Sequence, residues 1–189
     1  GFWYPDFKSY SASSVERVVE HFHKRHGRGV SYSIVVVAEG AKPRGGDYAV
    51  LIPNASRKEK LWPEARWVAV GRRLRGHGLT PVVLWGTEAE QTMAERIAAD
   101  CGGTVPPFLK VGEMAAVLAR ARQVVGLDTG FSHLAAALGR PTVGIYCDHE
   151  PGLAGITGAG LVSSLGGRGQ VPKLADVVAA VEAQLAAMR

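Results

Sequence analysis

Hydrophobic positions along this chain follow two rhythms that alternate. Short unbroken apolar runs recur at Tyr48–Pro53 (YAVLIP), Thr80–Trp85 (TPVVLW), Gln123–Leu127 (QVVGL) and Pro141–Tyr146 (PTVGIY). Runs of this length without polar alternation predict strands covered on both faces. Between them the apolar residues take helical spacing. A helix is expected from about Pro63, where proline suits a first turn. Thr87-Glu88-Ala89-Glu90 matches a capping box, opening a helix with Ala94, Ile97, Ala98 and Cys101 on one face. Gly112–Arg120 reads as a short helix, and Ser132–Leu138 as another, closed by Gly139 and Pro141. Ala159–Ser163 is expected to form a short last strand. Leu174, Val177, Val178, Val181, Leu185 and Met188 make one stripe of a C-terminal helix. The alternation predicts an α/β fold: a Rossmann-like parallel sheet with helices on both faces.

The first 47 residues break this pattern. Val15–His26 has helical spacing with basic residues around Val15, Val18, Val19 and Phe22, and Gly27-Arg28-Gly29 stops it. Ser33–Ala38 then reads as a strand and Gly40–Asp47 as a loop. Residues 1–47 are therefore expected to be an arm or connector, and 48–189 the ligand-binding domain. The chain opens Gly1-Phe2-Trp3-Tyr4 without an initiator methionine; a preceding half is the expectation.

Composition narrows the class. At 189 residues, 47% hydrophobic and 21% charged, with 24 Gly and 10 Pro, the chain can bury a core and is no disordered tail, coiled coil or collagen-like repeat. No apolar run approaches the roughly 20 residues a membrane-spanning helix needs, and no secretory signal is expected. Cys101 and Cys147 are too few for a disulfide scaffold and fit a reducing compartment. Lys and Arg outnumber Asp and Glu by 22 to 17, a formal charge of +5, which points to an anionic partner.

In an open parallel sheet, ligands bind beyond the carboxyl ends of the strands, so the informative segments are 54–62, 86–90, 128–133 and 147–158. Asp128-Thr129-Gly130-Phe131-Ser132-His133 is a small polar turn from strand into helix, suited to an anion through free amides and the helix dipole. The plainer expectation, favoured on local sequence, is that Asp128 or Thr129 caps the helix. Ser132 and His133 are neighbours that diverge on a helix, so no Ser-His-Asp triad is expected; His133 reads as a partly buried structural histidine bonding nearby loops. Asn54–Pro63 is polar and basic, with Lys60 or Arg57 available to neutralise a phosphate and Ser56 to donate a hydrogen bond, against the alternative of a solvated loop. Trp62 and Trp67 read as packing residues. Glu90 serves the capping box and also lies at the crevice rim, where it can accept ribose hydroxyls. Asp148-His149-Glu150 offers two carboxylates and an imidazole without a second cluster, and no metal is assigned. No Gly-x-Gly-x-x-Gly follows a strand and there is no Walker loop. The basic run His21–Arg28 lacks the aromatic interleaving of a base-stacking surface, so nucleic acid is not an expected partner.

Ser56-Arg57-Lys58-Glu59-Lys60-Leu61-Trp62-Pro63-Glu64, Leu84-Trp85-Gly86-Thr87-Glu88-Ala89-Glu90 and Asp128–Leu138 occur in that order. Together they resemble the C-terminal, donor-binding half of the ADP-heptose:lipopolysaccharide heptosyltransferases, glycosyltransferase family 9, and the Lys-x-Trp-Pro spacing resembles branch I of that family. The resemblance runs from about Asp47 to the end. It implies a two-domain GT-B enzyme, inverting, without metal or other cofactor, moving heptose from ADP-heptose to a Kdo sugar of lipid A. It implies that Lys60 holds the diphosphate and offsets leaving-group charge, with Ser56 and Arg57 beside it. Glu90 would bind the ribose, and Leu109, in the loop Pro106–Lys110, would line the adenine pocket. Asp128 would bind heptose hydroxyls, Thr129 and Gly130 amides would cradle phosphate, and His133 joins the substrate-binding set. A cytoplasmic location, peripheral on the anionic inner face of the inner membrane, is implied as well. The chain departs from the family in having Cys147-Asp148-His149-Glu150-Pro151 where Gly-Pro-Thr-Asp-Pro is frequent. The family's general base is an aspartate of the N-terminal half that nothing here matches, so this chain alone is expected to bind donor without transferring it. A sister transferase with another nucleotide-sugar donor, or a non-catalytic nucleotide-binding module, remain the alternatives.

Overall fold

The computed structural model describes residues 47–148, 155–158 and 160–188. Nearly all of the expected arm, including the Val15–His26 helix and the Ser33–Ala38 strand, lies outside these residues, as do His149 and Glu150.

Among the described residues, five parallel strands form one sheet: β1 (Tyr48–Ile52), β2 (Thr80–Val83), β3 (Gln123–Leu127), β4 (Thr142–Tyr146) and β5 (Val162–Gly166), in the spatial order β2-β1-β3-β4-β5. Among the described residues, five helices accompany them: α1 (Glu64–Gly76), α2 (Glu88–Cys101), α3 (Val111–Arg120), α4 (Gly130–Ala137) and α5 (Leu174–Ala187), with a 3-10 turn at Lys58–Lys60. The expected α/β architecture is the one observed.

The alternating pleat divides β1 between two cores. Ala49 and Leu51 face a cluster with Trp67, Val70 and Leu74 of α1, Ile97 of α2 and Val177 and Val181 of α5. Tyr48, Val50 and Ile52 face the opposite cluster, with Ala115 and Leu118 of α3 and Leu134 and Ala135 of α4. Helices thus cover both faces, which is why β1, β3 and β4 are largely apolar and buried along their whole length. Trp62 and Trp67 pack edge to face at 5.3 Å inside the first core, as expected of packing residues.

Two boundaries differ from expectation. The last strand is β5 at Val162–Gly166 rather than Ala159–Ser163, because Val-Ser-Ser-Leu-Gly is a half-exposed edge strand whose serines carry no apolar signal. Helix α4 begins at Gly130, two residues before Ser132. The capping box is as expected: the Thr87 side chain accepts from Glu90 N, while Glu90 accepts from Thr87 N. A buried amide pair pins α5 to the sheet: Gln123 Nε2 donates to Gln184 Oε1 at 2.7 Å, and Gln184 donates onward to Thr142 O and Ser163 Oγ.

Strand order reverses between β1 and β3. From β1 the chain steps outward through α1 to β2, then returns to the other side of β1 for β3. The loops after β1 and β3 therefore diverge to opposite sides and open a crevice at the carboxyl edge of the sheet.

Candidate functional site

The loop after β1 and the turn after β3 meet across this crevice. Asn54 Nδ2 donates to Leu84 O at 2.7 Å, tying the first loop to the end of β2. The 3-10 turn then carries Lys60 back over β3, where its Nζ donates to Asp128 Oδ2 at 2.8 Å. Both side chains are largely shielded, at 17% and 13% exposure. His133 Nε2 lies 3.4 Å from the other oxygen, Asp128 Oδ1. Residues far apart in sequence thus form a cation–carboxylate–imidazole line at the switch point.

The expectation that Asp128 or Thr129 caps α4 with its side chain is not met. Thr129 is the N-cap residue, but its side chain makes no capping bond, and Thr129 Oγ1 is buried without a partner. Asp128 precedes the N-cap residue, and its carboxylate is shared between Lys60 and the His133 ring of α4. A helix start left uncapped by its own side chains, with an orphan hydroxyl beside it, favours an external anion or water. Asn54 Oδ1 is a second buried polar atom without a partner on the same edge; its side chain marks the site, although the sequence pattern singled out only its neighbours. Ser132 is fully buried and its hydroxyl donates to Leu127 O at 2.7 Å, so it locks the turn from below and is no nucleophile.

Burial by itself pushes the Asp128 carboxyl up, but hydrogen bonds from His133 and Lys60, with the Lys60 charge, outweigh it and hold its pKa at about 2. Relative to an ordinary aspartate near 3.8, this contributes about 2 kcal/mol of folding stability above pH 4 or so. That contribution is lost as pH falls through the depressed value. Asp128→Asn is therefore expected to be less stable than the wild type by about that amount at pH 5, and the gap should close toward pH 2. Acid titration of urea midpoints measures it; a gap independent of pH would refute the assignment.

The other expected site residues divide. Arg57 reaches Asp148 only at 4.0 Å and both are substantially exposed, so their attraction is weak. Ser56 stands exposed on the same loop. Glu90 spends one oxygen, Oε2, on the Gly86 and Thr87 amides at 2.9 and 3.0 Å, leaving Oε1 for a ligand. Leu109 is partly buried against the α3–α4 core rather than standing free. Its neighbour Phe108 is 59% exposed, edge-on to Trp85 with ring centroids 5.7 Å apart. Sequence reasoning passed over this pair, whose only signal was an aromatic after Pro106-Pro107. Gly130, exposed, opens α4. Among the described residues no group of three or more His, Cys, Asp or Glu could hold a metal ion. Cys147 is buried at the end of β4, and burial pushes its thiol pKa up.

A separate hollow of about 410 Å³ lies at the opposite, amino-terminal edge of the sheet, lined by Asp47, Arg120, Arg122 and Arg140 among others. The C-terminal ends of α3 and α4 converge there, and Arg122 Nη1 donates to Asp47 Oδ2 at 2.8 Å.

Lipopolysaccharide heptosyltransferase 1 of Salmonella typhimurium is 40% identical over 109 residues, covering 57% of this chain and 34% of its own length. The structure of E. coli heptosyltransferase WaaC with ADP superposes with a TM-score of 0.68 at 31% identity, over 90% of this chain and 56% of that one. The same enzyme with ADP-2-deoxy-2-fluoro heptose gives 0.62 at 28% identity, over 96% and 57%. The chain spans little more than half the length of that enzyme. The sequence profile of glycosyltransferase family 9 (heptosyltransferase) matches residues 14–177. With most of its length covered by that profile, the chain belongs to glycosyltransferase family 9, the heptosyltransferases.

Proposed function

We propose that this chain forms the donor-binding half of a lipopolysaccharide heptosyltransferase of type I, taking ADP-heptose and serving inverting transfer of heptose to a Kdo sugar of lipid A. The observation that carries the reading is the Lys60–Asp128–His133 line beside the uncapped start of α4. A cation and free helix amides suit a diphosphate, and a carboxylate alongside suits the hydroxyls of a sugar attached to it.

In this reading the diphosphate settles on the amides of Thr129 and Gly130, and Lys60 exchanges Asp128 for a phosphate oxygen. Charge building on the leaving ADP is then met by a cation already in place, with no further reorganisation. Asp128, ionised at any physiological pH, accepts from heptose hydroxyls while His133 keeps it oriented. Glu90 Oε1 takes the ribose. Ser56 and Arg57, on the exposed loop, close over the phosphates. The base that would deprotonate the acceptor hydroxyl is not among the residues this site assembles, so the described domain binds and orients the donor while acceptor chemistry belongs to a partner half. The basic surface suits a phosphorylated acceptor at the inner face of the cytoplasmic membrane, where the protein would sit peripherally; no described helix is long and apolar enough to cross it.

Calorimetry tests the reading. ADP-heptose is expected to bind at least tenfold more tightly than ADP or a UDP-sugar. Equal affinity for ADP-heptose and UDP-sugars would point to another donor, and no nucleotide binding at all would remove the proposal.

A further inference from the structure

We propose that the hollow at the amino-terminal edge of the sheet is a second anion site, where Arg120, Arg122 and Arg140 take a phosphate monoester. The three arginines reach it from adjacent connections. Arg120 ends α3, Arg122 leads into β3, and Arg140 leads into β4. Because β3 lies between β1 and β4, the segments entering these strands sit side by side, with Asp47 just ahead of β1. Their backbones are pinned. Arg122 N donates to Tyr48 O at 2.9 Å, and Arg140 N donates to Ala135 O at 3.0 Å, past the left-handed turn of Gly139. The side chains therefore start from fixed points around a space of about 410 Å³, within the usual range for a small-ligand pocket.

Charge in this hollow is unbalanced. Asp47 is the one carboxylate among the described lining residues, and Arg122 already holds it at 2.8 Å. Among the described residues, neither Arg120 nor Arg140 makes an ion pair or a side-chain hydrogen bond, so neither is spent on the carbonyls of the converging helix ends. Arg140 Nε is moreover buried without a partner, and a buried charged donor is costly until an acceptor meets it. Both charges are felt at one point. The buried Tyr48 hydroxyl donates to Val117 O at 2.6 Å; burial pushes its pKa up to about 12, while Arg120 and Arg140 both draw it back. Three arginines against one aspartate leave two positive charges, the complement of a dianionic phosphate monoester. Planar guanidinium forks suit its oxygens. The site lies at the opposite end of the strands from Lys60 and Asp128, and stands independently of the donor reading.

The test follows Arg140 itself, in the full chain with isotope-labelled arginine. The Nε–Hε resonance of Arg140, identified by its absence in Arg140→Gln, should shift saturably as inorganic phosphate is added. Arg120→Gln should weaken that binding about tenfold. Arg120 is exposed, so this substitution should leave melting temperature and ADP affinity unchanged. Phosphatidylcholine vesicles with and without phosphatidic acid then identify the source. Retention that requires phosphatidic acid and is lost in Arg120→Gln assigns the site to a lipid headgroup; phosphate binding with equal retention on both vesicles assigns it to a soluble phosphorylated ligand. No saturable shift, or one of unchanged affinity in Arg120→Gln, overturns the site. Phosphate held at the donor crevice would not move this resonance, so the result is read separately from that proposal.

Discussion

Lys60→Ala is expected to weaken ADP-heptose binding about 10- to 100-fold, the loss of a charge-assisted contact to the diphosphate. Lys60 is held at Asp128, just ahead of the α4 start, and its Nζ is presently satisfied by that carboxylate. Donor binding therefore exchanges one anionic partner for another, and Asp128 competes with the phosphates for the same ammonium. This competition gives Asp128→Asn a divided outcome. Binding of ADP-heptose should fall, because a carboxylate acceptor for the sugar hydroxyls is lost. Binding of ADP alone should hold or tighten, because Lys60 is released and a repelling charge removed. Isothermal titration of both ligands against both variants settles the point. Unchanged affinity of Lys60→Ala for ADP-heptose would show that the diphosphate does not sit at this lysine, and parallel losses for both ligands in Asp128→Asn would show that no competition exists.

Gly126→Ala is expected to destabilise the domain by about 3 kcal/mol. Gly126 lies buried in the middle of β3, and a Cβ there would collide with Ser132 Oγ while standing 3.1 Å from Ile52 Cβ. To make room, Ser132 must give up its bond to Leu127 O, and the first turn of α4 must lift from the sheet. Thermal melting should drop by about 6–12 °C, and the protein that remains folded should bind donor more weakly because the α4 amides are displaced. Adding Ser132→Ala to Gly126→Ala removes the worst collision, so the double variant is expected to regain at least about 1 kcal/mol over Gly126→Ala. Additive losses would mean that the strand, and not the helix start, absorbs the new methyl group.

These two residues show where sequence legibility ends. The buried strands, the Thr87–Glu90 cap and the α5 stripe were readable because each depends on local periodicity or a fixed spacing of a few residues. The edge strand β5 was misplaced because half of its surface is wet and its serines report no burial. Lys60, Asp128 and Glu90 could be named from their loops and from a family resemblance. Their mutual arrangement could not, since 68 residues separate Lys60 from Asp128. Phe108 went unnoticed because an isolated aromatic in a proline-rich loop looks the same whether its ring is buried or open.

Local chemistry along the chain was enough to specify an α/β sheet covered on both faces, and a polar edge beyond its strands. It also offered two uses for the Asp128–Gly130 turn, an ordinary helix cap or an anion cradle, and favoured the cap. Folding reversed that preference. By setting β3 beside β1 it brought Lys60 within 2.8 Å of Asp128, so that the carboxylate pairs with a full positive charge. The helix start keeps no side-chain cap, and Asp128 is committed to a partner that strand order supplies and that no local stretch of sequence encodes.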